Sequence, residues 1–252
     1  MILLFDIGNT HTHVGLATDV RVVRQVNVLT REWFGGRSAA LVKKFVGAKK
    51  ITGAILCSVV PRATPLVCKT IHSTWHLPTL ELNAQTVRGV GIDYPKPQSI
   101  GADRLANSVA ARKHFGAPVV VVDFGTAVTF DVVNSKANYV GGIIAPGLAA
   151  MTDYLHEKTA LLPSIKITEP KQVIGKSTEQ AMLAGAVYGY RGLVRELIRE
   201  LKREMKAHRL PVVATGGYAQ LIASGLSEIS AVEPNLTLEG LRLVWLALEK
   251  PK

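Results

Sequence analysis

Apolar and polar positions follow two rhythms along this chain. Residues 2–5 form an unbroken apolar run closed by Asp6, which reads as a buried strand delivering an acid to a turn. Residues 13–17 and 21–28 keep strand rhythm. Over 31–46 the spacing becomes helical, with Leu41, Val42, Phe45 and Val46 on one face and Gly35-Gly36 interrupting or delaying the start. A buried strand over 51–59, closed by Pro61, precedes a helix over 64–75 and a short strand over 79–82. Residues 83–100 show neither rhythm and carry Gly89, Gly91, Pro95 and Pro97, so a long loop is expected, of a kind usually functional or mobile. A helix follows, with Leu105, Val109 and Ala110 on one face and Arg112 and Lys113 on the other.

The second half repeats this order. Strands are expected over 119–122, 127–133 and 138–144, and a helix over 148–155. One long helix is expected over 177–208, with the stripe Leu193, Leu197, Leu201, Met205 as a core or dimer face. Small residues early in that helix allow close packing against a second subunit. A strand over 211–214, the turn Thr215-Gly216-Gly217, a helix over 218–223, a strand over 229–232 and a helix over 238–249 complete the chain.

Two of the strand ends carry the same chemistry. Asp6-Ile7-Gly8-Asn9-Thr10 and Asp123-Phe124-Gly125-Thr126-Ala127 both place an acid, one residue, a glycine and then a hydroxyl after an apolar run. The glycine tolerates positive φ and close backbone approach. Converging turn amides suit an anion, and the acid suits Mg²⁺. One copy alone is ordinary turn chemistry. Two copies half a chain apart indicate duplicated units, divided at 1–115 and 116–252, each with a phosphate turn.

Composition narrows the class. With 252 residues and 48% hydrophobic positions, the chain suits a two-domain soluble α/β protein. No apolar run is long enough for a membrane span, and residues 1–5 lack a basic leader, so no signal peptide is expected. Cys57 and Cys68 read as small apolar residues in a reducing cytoplasm. The net charge of +11 is dispersed, without an aromatic-and-basic stripe, and reads as a solvated surface with no nucleic-acid partner. His11-Thr12-His13 places two rings on one strand face, but no further ligand cluster supports a metal there.

These features resemble the actin, sugar-kinase and chaperone ATPase superfamily, which implies two duplicated ribonuclease-H-like domains with a nucleotide cleft. More narrowly, Asp6 through Thr10, Gly101-Ala102-Asp103-Arg104, and Asp123 through Ala127 with Thr129 resemble the three motifs of type III pantothenate kinases. The glycines from Gly141-Gly142 through Pro146-Gly147, and Thr215-Gly216-Gly217, also fit. The resemblance implies ATP contacts at Asp6, Ile7, Gly8, Asn9, Thr10, His11, Thr12, His13 and Thr126. It implies pantothenate contacts at Tyr94, Gly101, Ala102, Asp103, Arg104 and Thr178, with Asp103 the catalytic base. Asp123 corresponds to a ligand of a monovalent cation, K⁺ or NH₄⁺, and Asp6 holds Mg²⁺ directly, through phosphates or through water. A homodimer is implied as well. His11 and Lys96-Pro97 depart from the family pattern, where Asn and Asn-Pro are frequent. Two rival readings keep the fold: a phosphatase or polyphosphate hydrolase, and a non-enzymatic transcription accessory factor with salt-sensitive nucleic-acid affinity.

Overall fold

A computed structural model of the chain describes residues 1–249. In chain order the elements are β1 (Ile2–Ile7), β2 (His11–Ala17), β3 (Val22–Leu29), a 3-10 turn (Thr30–Trp33), α1 (Arg37–Val46), β4 (Gly53–Ser58), α2 (Thr64–Trp75), β5 (Leu80–Glu81), β6 (Gly91–Ile92), a 3-10 turn (Pro97–Ser99) and α3 (Ala102–Phe115). There follow β7 (Val119–Phe124), β8 (Ala127–Val133), β9 (Asn138–Pro146), α4 (Leu148–Lys158), α5 (Thr178–Glu204), β10 (Val212–Thr215), α6 (Ala219–Ala223), β11 (Ala231–Val232) and α7 (Leu236–Glu249).

Two compact units result. Of the described residues, the first comprises 1–117 together with 135–140 and 235–249; the second comprises 118–134 and 141–234. The first unit therefore takes in more than residues 1–115, because α7 returns to it from the chain's end.

In the first unit the strand order is β3-β2-β1-β4-β5, with β1 antiparallel to β2 and parallel to β4. The other sheet has the order β6-β9-β8-β7-β10-β11; leaving out β6, it repeats the first, again with an antiparallel and a parallel neighbour beside the central strand. The central strands Leu3-Leu4-Phe5 and Val119 through Val122 are wholly buried, as expected of strands covered on both faces.

In the first unit, Leu3, Phe5, Ile7, Leu16, Leu56 and Trp33 form a core with Val42 and Val46 of α1 and Val67 and Ile71 of α2. The opposite face of the sheet is covered by α3 and α7. Two glycines make that approach possible. A Cβ on Gly240 of α7 would run into the backbone of Ala106 in α3, and one on Gly53 of β4 would run into the ring of Trp245. Thr237 Oγ1 donates to Asn107 Oδ1 at 2.8 Å, tying α7 to α3 in the buried seam.

In the second unit α5 is 27 residues long. Its buried stripe is Val187, Tyr190, Arg191, Val194, Ile198 and Leu201, not the expected Leu193, Leu197 and Met205, which are only half-buried. The helix is rotated by about one position from the pattern read by leucine content. The reason is Arg191, which faces inward although it is charged. Its guanidinium forks onto Glu169 at 2.9 and 2.7 Å and also donates to Leu221 O and Ser224 Oγ.

Candidate active site

Strand parity decides which side chains meet in the first unit. Leu3, Phe5 and Ile7 of β1 point into the core under α1 and α2, so Asp6 points to the face covered by α3. Ala54 and Leu56 of β4 share that core, so Cys57 takes Asp6's face, and the register sets the two directly opposite each other. Cys57 Sγ donates to Asp6 Oδ1 at 3.4 Å. Burial pushes the thiol well above its ordinary range, and the charges of Asp6 and then Asp103 push it further. The sulfur is thus a protonated donor, and both carboxylates lie within electrostatic reach of it.

Asp103 comes to this place on the first turn of α3. Gly101 is the N-cap and no side chain caps the helix, so Asp103 does not serve as the cap that an acid at a helix start usually provides. Its Oδ1 accepts from Arg104 N at 2.8 Å. A Cβ on Gly101 would stand 2.5 Å from that oxygen, so only glycine leaves the carboxylate its room. Burial raises the Asp103 pKa, and the bond from Arg104 N and the guanidinium charge of Arg104 only partly offset it.

The turn after β1 is braced from behind. Gly8 N donates to His11 O at 3.0 Å, Thr30 Oγ1 donates to Gly8 O at 2.7 Å, and Thr30 N donates to Thr10 O at 3.0 Å. Asn9, Thr10 and His11 are exposed at the turn. His13 stands opposite Asp6 in the β1–β2 register, and its Nδ1 pairs with Asn27 Oδ1 at 2.7 Å. Burial lowers its pKa, which favours the neutral ring. Two of the expected ATP contacts have side chains turned away from the turn's surface. Ile7 and Thr12 are fully buried on the core face, where Thr12 Oγ1 accepts from Trp33 Nε1 at 3.1 Å. Either can meet a nucleotide only through its backbone.

The long loop lies beside α3. It holds two ordered fragments, β6 and the turn Pro97–Ser99, where sequence showed none. Tyr94, exposed by 37%, rests edge-on against Tyr139 with ring centroids 6.0 Å apart. Arg104 Cζ lies 5.7 Å from the centroid of the same Tyr139 ring.

In the second unit, Asp123 is half-buried on β7, in register with Thr129 on β8 and Thr215 on β10. Gly125 N donates to Ala127 O at 3.1 Å and Gly147 N to Thr126 O at 3.2 Å. Gly216, at φ 92°, packs onto Asp123 and the Phe124 backbone with no space for a Cβ. The turns at Gly125 and Gly216 thus close on one acid, and Gly147 packs behind the first of them. Thr178 is exposed at the start of α5, where Ser177 Oγ caps the helix by accepting from Gln180 N at 3.2 Å.

The donor set fits a nucleotide with a metal carried on its phosphates. Among the described residues no three His, Cys, Asp or Glu side chains form a metal cage. Mg²⁺ keeps most of its water and takes one or two carboxylates, and Asp6 at the turn is one such donor. Sequence reasoning missed Cys57, Thr30 and Tyr139 as parts of the site. Cys57 and Tyr139 fell within expected strands, and Thr30 just beyond one; nothing else hinted at them.

Comparison with known proteins gives the fold and the family. The inorganic polyphosphate/ATP-glucomannokinase of Arthrobacter sp. strain KM superposes with a TM-score of 0.51 at 14% identity, covering 99% of each chain. MreB 5 of Spiroplasma citri, in a structure bound to AMPPNP, superposes with a TM-score of 0.55 at 9% identity, covering 98% of this chain and 96% of that one. At such identities the likeness establishes the fold alone, a two-domain actin-like ATPase fold. In sequence, the type III pantothenate kinase of Akkermansia muciniphila is 48% identical over 96% of both chains. The sequence model of that family matches residues 2–200, and this chain belongs to the type III pantothenate kinase family.

Proposed function

We propose that this chain transfers the γ-phosphate of ATP to the primary alcohol of pantothenate, giving 4'-phosphopantothenate at the start of coenzyme A biosynthesis, and that Asp103 is its catalytic base. One observation carries the assignment: within one unit, Asp6 of the phosphate turn and Asp103 flank the same buried thiol.

Each residue then has a task. Gly8, Asn9, Thr10 and His11 hold ATP phosphates through the turn, with Ile7 and Thr12 contributing backbone only and His13 standing beside Asp6. Thr126 is a further ATP contact, and Asp123 holds a monovalent cation, K⁺ or NH₄⁺. Mg²⁺, held at Asp6 directly or through water, neutralises phosphate charge when bound. Pantothenate is held by Tyr94, Gly101, Ala102, Arg104 and Thr178, with Arg104 pairing with its carboxylate. Asp103 orients the alcohol and takes its proton as the oxygen bonds to the γ-phosphorus. The bond from that phosphorus to the β–γ bridging oxygen breaks, and ADP leaves. Phosphoryl transfer asks little more of a protein than position and charge neutralisation. The raised pKa of Asp103 suits a proton acceptor.

We also propose that the chain works as a homodimer in the cytoplasm. Met151, Tyr154 and Leu155 of α4 with Met182 and Gly185 of α5 line an apolar groove of about 540 Å³. Tyr154 is 61% exposed, and such surface favours a second copy as cover. Among the described residues no helix is long and apolar enough to cross a membrane.

A coupled assay for ADP release, with and without pantothenate, tests the reading. Release that depends on pantothenate supports it. Release without any acceptor points to a hydrolase, and no turnover together with salt-sensitive nucleic-acid binding points to the accessory factor.

A further inference from the structure

Tyr139 belongs to none of the motifs, yet two proposed substrate residues rest on it. It is 1% exposed, on the first residues of β9. β6, from the long loop, pairs with it in parallel, Ile92 against Tyr139, and Asp93 N donates to Tyr139 O at 2.9 Å. That pairing brings the next residue, Tyr94, edge-on to the Tyr139 ring at 6.0 Å and 69°. Arg104, from α3, lies over the same ring with Cζ 5.7 Å from the centroid. A ring buried to this degree has one orientation. A guanidinium over a π ring is held by the ring's negative face and gives up rotamer freedom before any substrate arrives.

We propose that Tyr139 is a positioning residue for pantothenate recognition. It holds Arg104 over its face in the orientation that receives the substrate's carboxylate, and it seats Tyr94 beside it. The proposal rests on the assignment of Arg104 to pantothenate made above. Tyr139 itself meets neither substrate.

Steady-state kinetics of the full-length enzyme test it, with ATP and pantothenate varied separately and melting temperatures recorded alongside. Tyr139→Phe keeps the ring and holds the pantothenate KM near wild type, whatever it costs in stability. Tyr139→Leu raises KM for pantothenate roughly 3- to 30-fold, the weight of one cation–π contact between exposed and desolvated settings. KM for ATP does not move with it. Because Tyr139 acts through Arg104, Tyr139→Leu adds little in an Arg104→Gln background. Progressively fluorinated phenylalanines at position 139 preserve shape while draining the ring's negative face, and keep the test open if Tyr139→Leu does not fold. KM for pantothenate then climbs with each fluorine. A flat response to fluorine, full additivity with Arg104→Gln, or an equal rise in both KM values overturns the proposal. Arg104→Gln with no effect on the pantothenate KM removes the Arg104 assignment and the proposal with it. An effect of Arg104→Gln without one from Tyr139→Leu removes the proposal alone.

Discussion

Asp103→Asn separates the chemical task of this carboxylate from its structural burden. The amide has the carboxylate's shape, and its Oδ1 can still accept from Arg104 N at the 2.8 Å the carboxylate uses. Ground-state contacts should therefore survive, and binding of ATP and pantothenate with them. The proton acceptor is lost. A positioned general base is worth roughly a hundred- to ten-thousand-fold in rate, about 2.7 to 5.4 kcal/mol of barrier at ~1.36 kcal/mol per decade. The fall should appear in kcat, with KM values little changed. Stability should move the other way. Burial raises the folded-state pKa of Asp103 above its unfolded value, so at neutral pH the charged side chain opposes folding. That cost is full above the folded pKa and fades as pH falls through it towards the ordinary carboxylate range. The variant should therefore melt above the wild type at neutral pH, and the gap should close on acidification. In the wild type, kcat/KM should fall with acid from above the usual carboxylate range; residual activity of the variant should lack that limb. Initial rates across pH and paired thermal melts check both halves. Activity within tenfold of wild type, or a variant less stable at neutral pH, refutes the reasoning.

Thr30→Val removes the hydroxyl that donates to Gly8 O at 2.7 Å, costing about 1–3 kcal/mol for the group left unpaired. It should raise KM for ATP and leave that for pantothenate, as initial rates and denaturant melts would show. Gly240→Ala drives a Cβ into the Ala106 backbone and should cost at least ~1–3 kcal/mol as overpacking. Because α3 carries Asp103, kcat should fall even at temperatures where the variant is fully folded. Arg191→Leu strips Leu221 O and Ile222 O of a donor and should cost about 1–3 kcal/mol. Glu169→Gln should cost less than ~1 kcal/mol, since Glu169 is half in solvent. Urea melts of the pair read the asymmetry.

Much of the fold lay open in the chain. The helix over 64–75 and the strand over 127–133 sit where their rhythm placed them, because each is set by local pattern and bounded by turn residues. The duplicated acid-and-glycine turns carried the resemblance that implied the fold class. Legibility failed where a distant partner decides. The buried face of α5 was misread because the leucine stripe was taken for it; the partners that turn Arg191 inward, Glu169 and the carbonyls of α6, lie 22 to 31 residues away. Ile7 and Thr12 looked like turn residues in sequence. Parity with Phe5 and Val14 turns them into the core.

The two units also show how one frame gives its acid two different surroundings. Both place an acid on the central strand, two residues before a glycine turn, with an antiparallel strand on one side and a parallel one on the other. The neighbour across the parallel pair differs. Beside Asp6 it is Cys57, a weak donor that leaves space for a helix to approach. Beside Asp123 it is Thr215, followed by Gly216, whose backbone closes directly over the acid. In the first unit the approaching helix is α3, and it brings a second carboxylate with it. Duplication therefore repeats the acid-and-glycine turn, but a second carboxylate joins it only where a helix approaches the face beside the acid. That is why a chemical role for Asp103 depends on Gly101, Gly240 and Cys57, residues with no chemistry of their own in phosphoryl transfer.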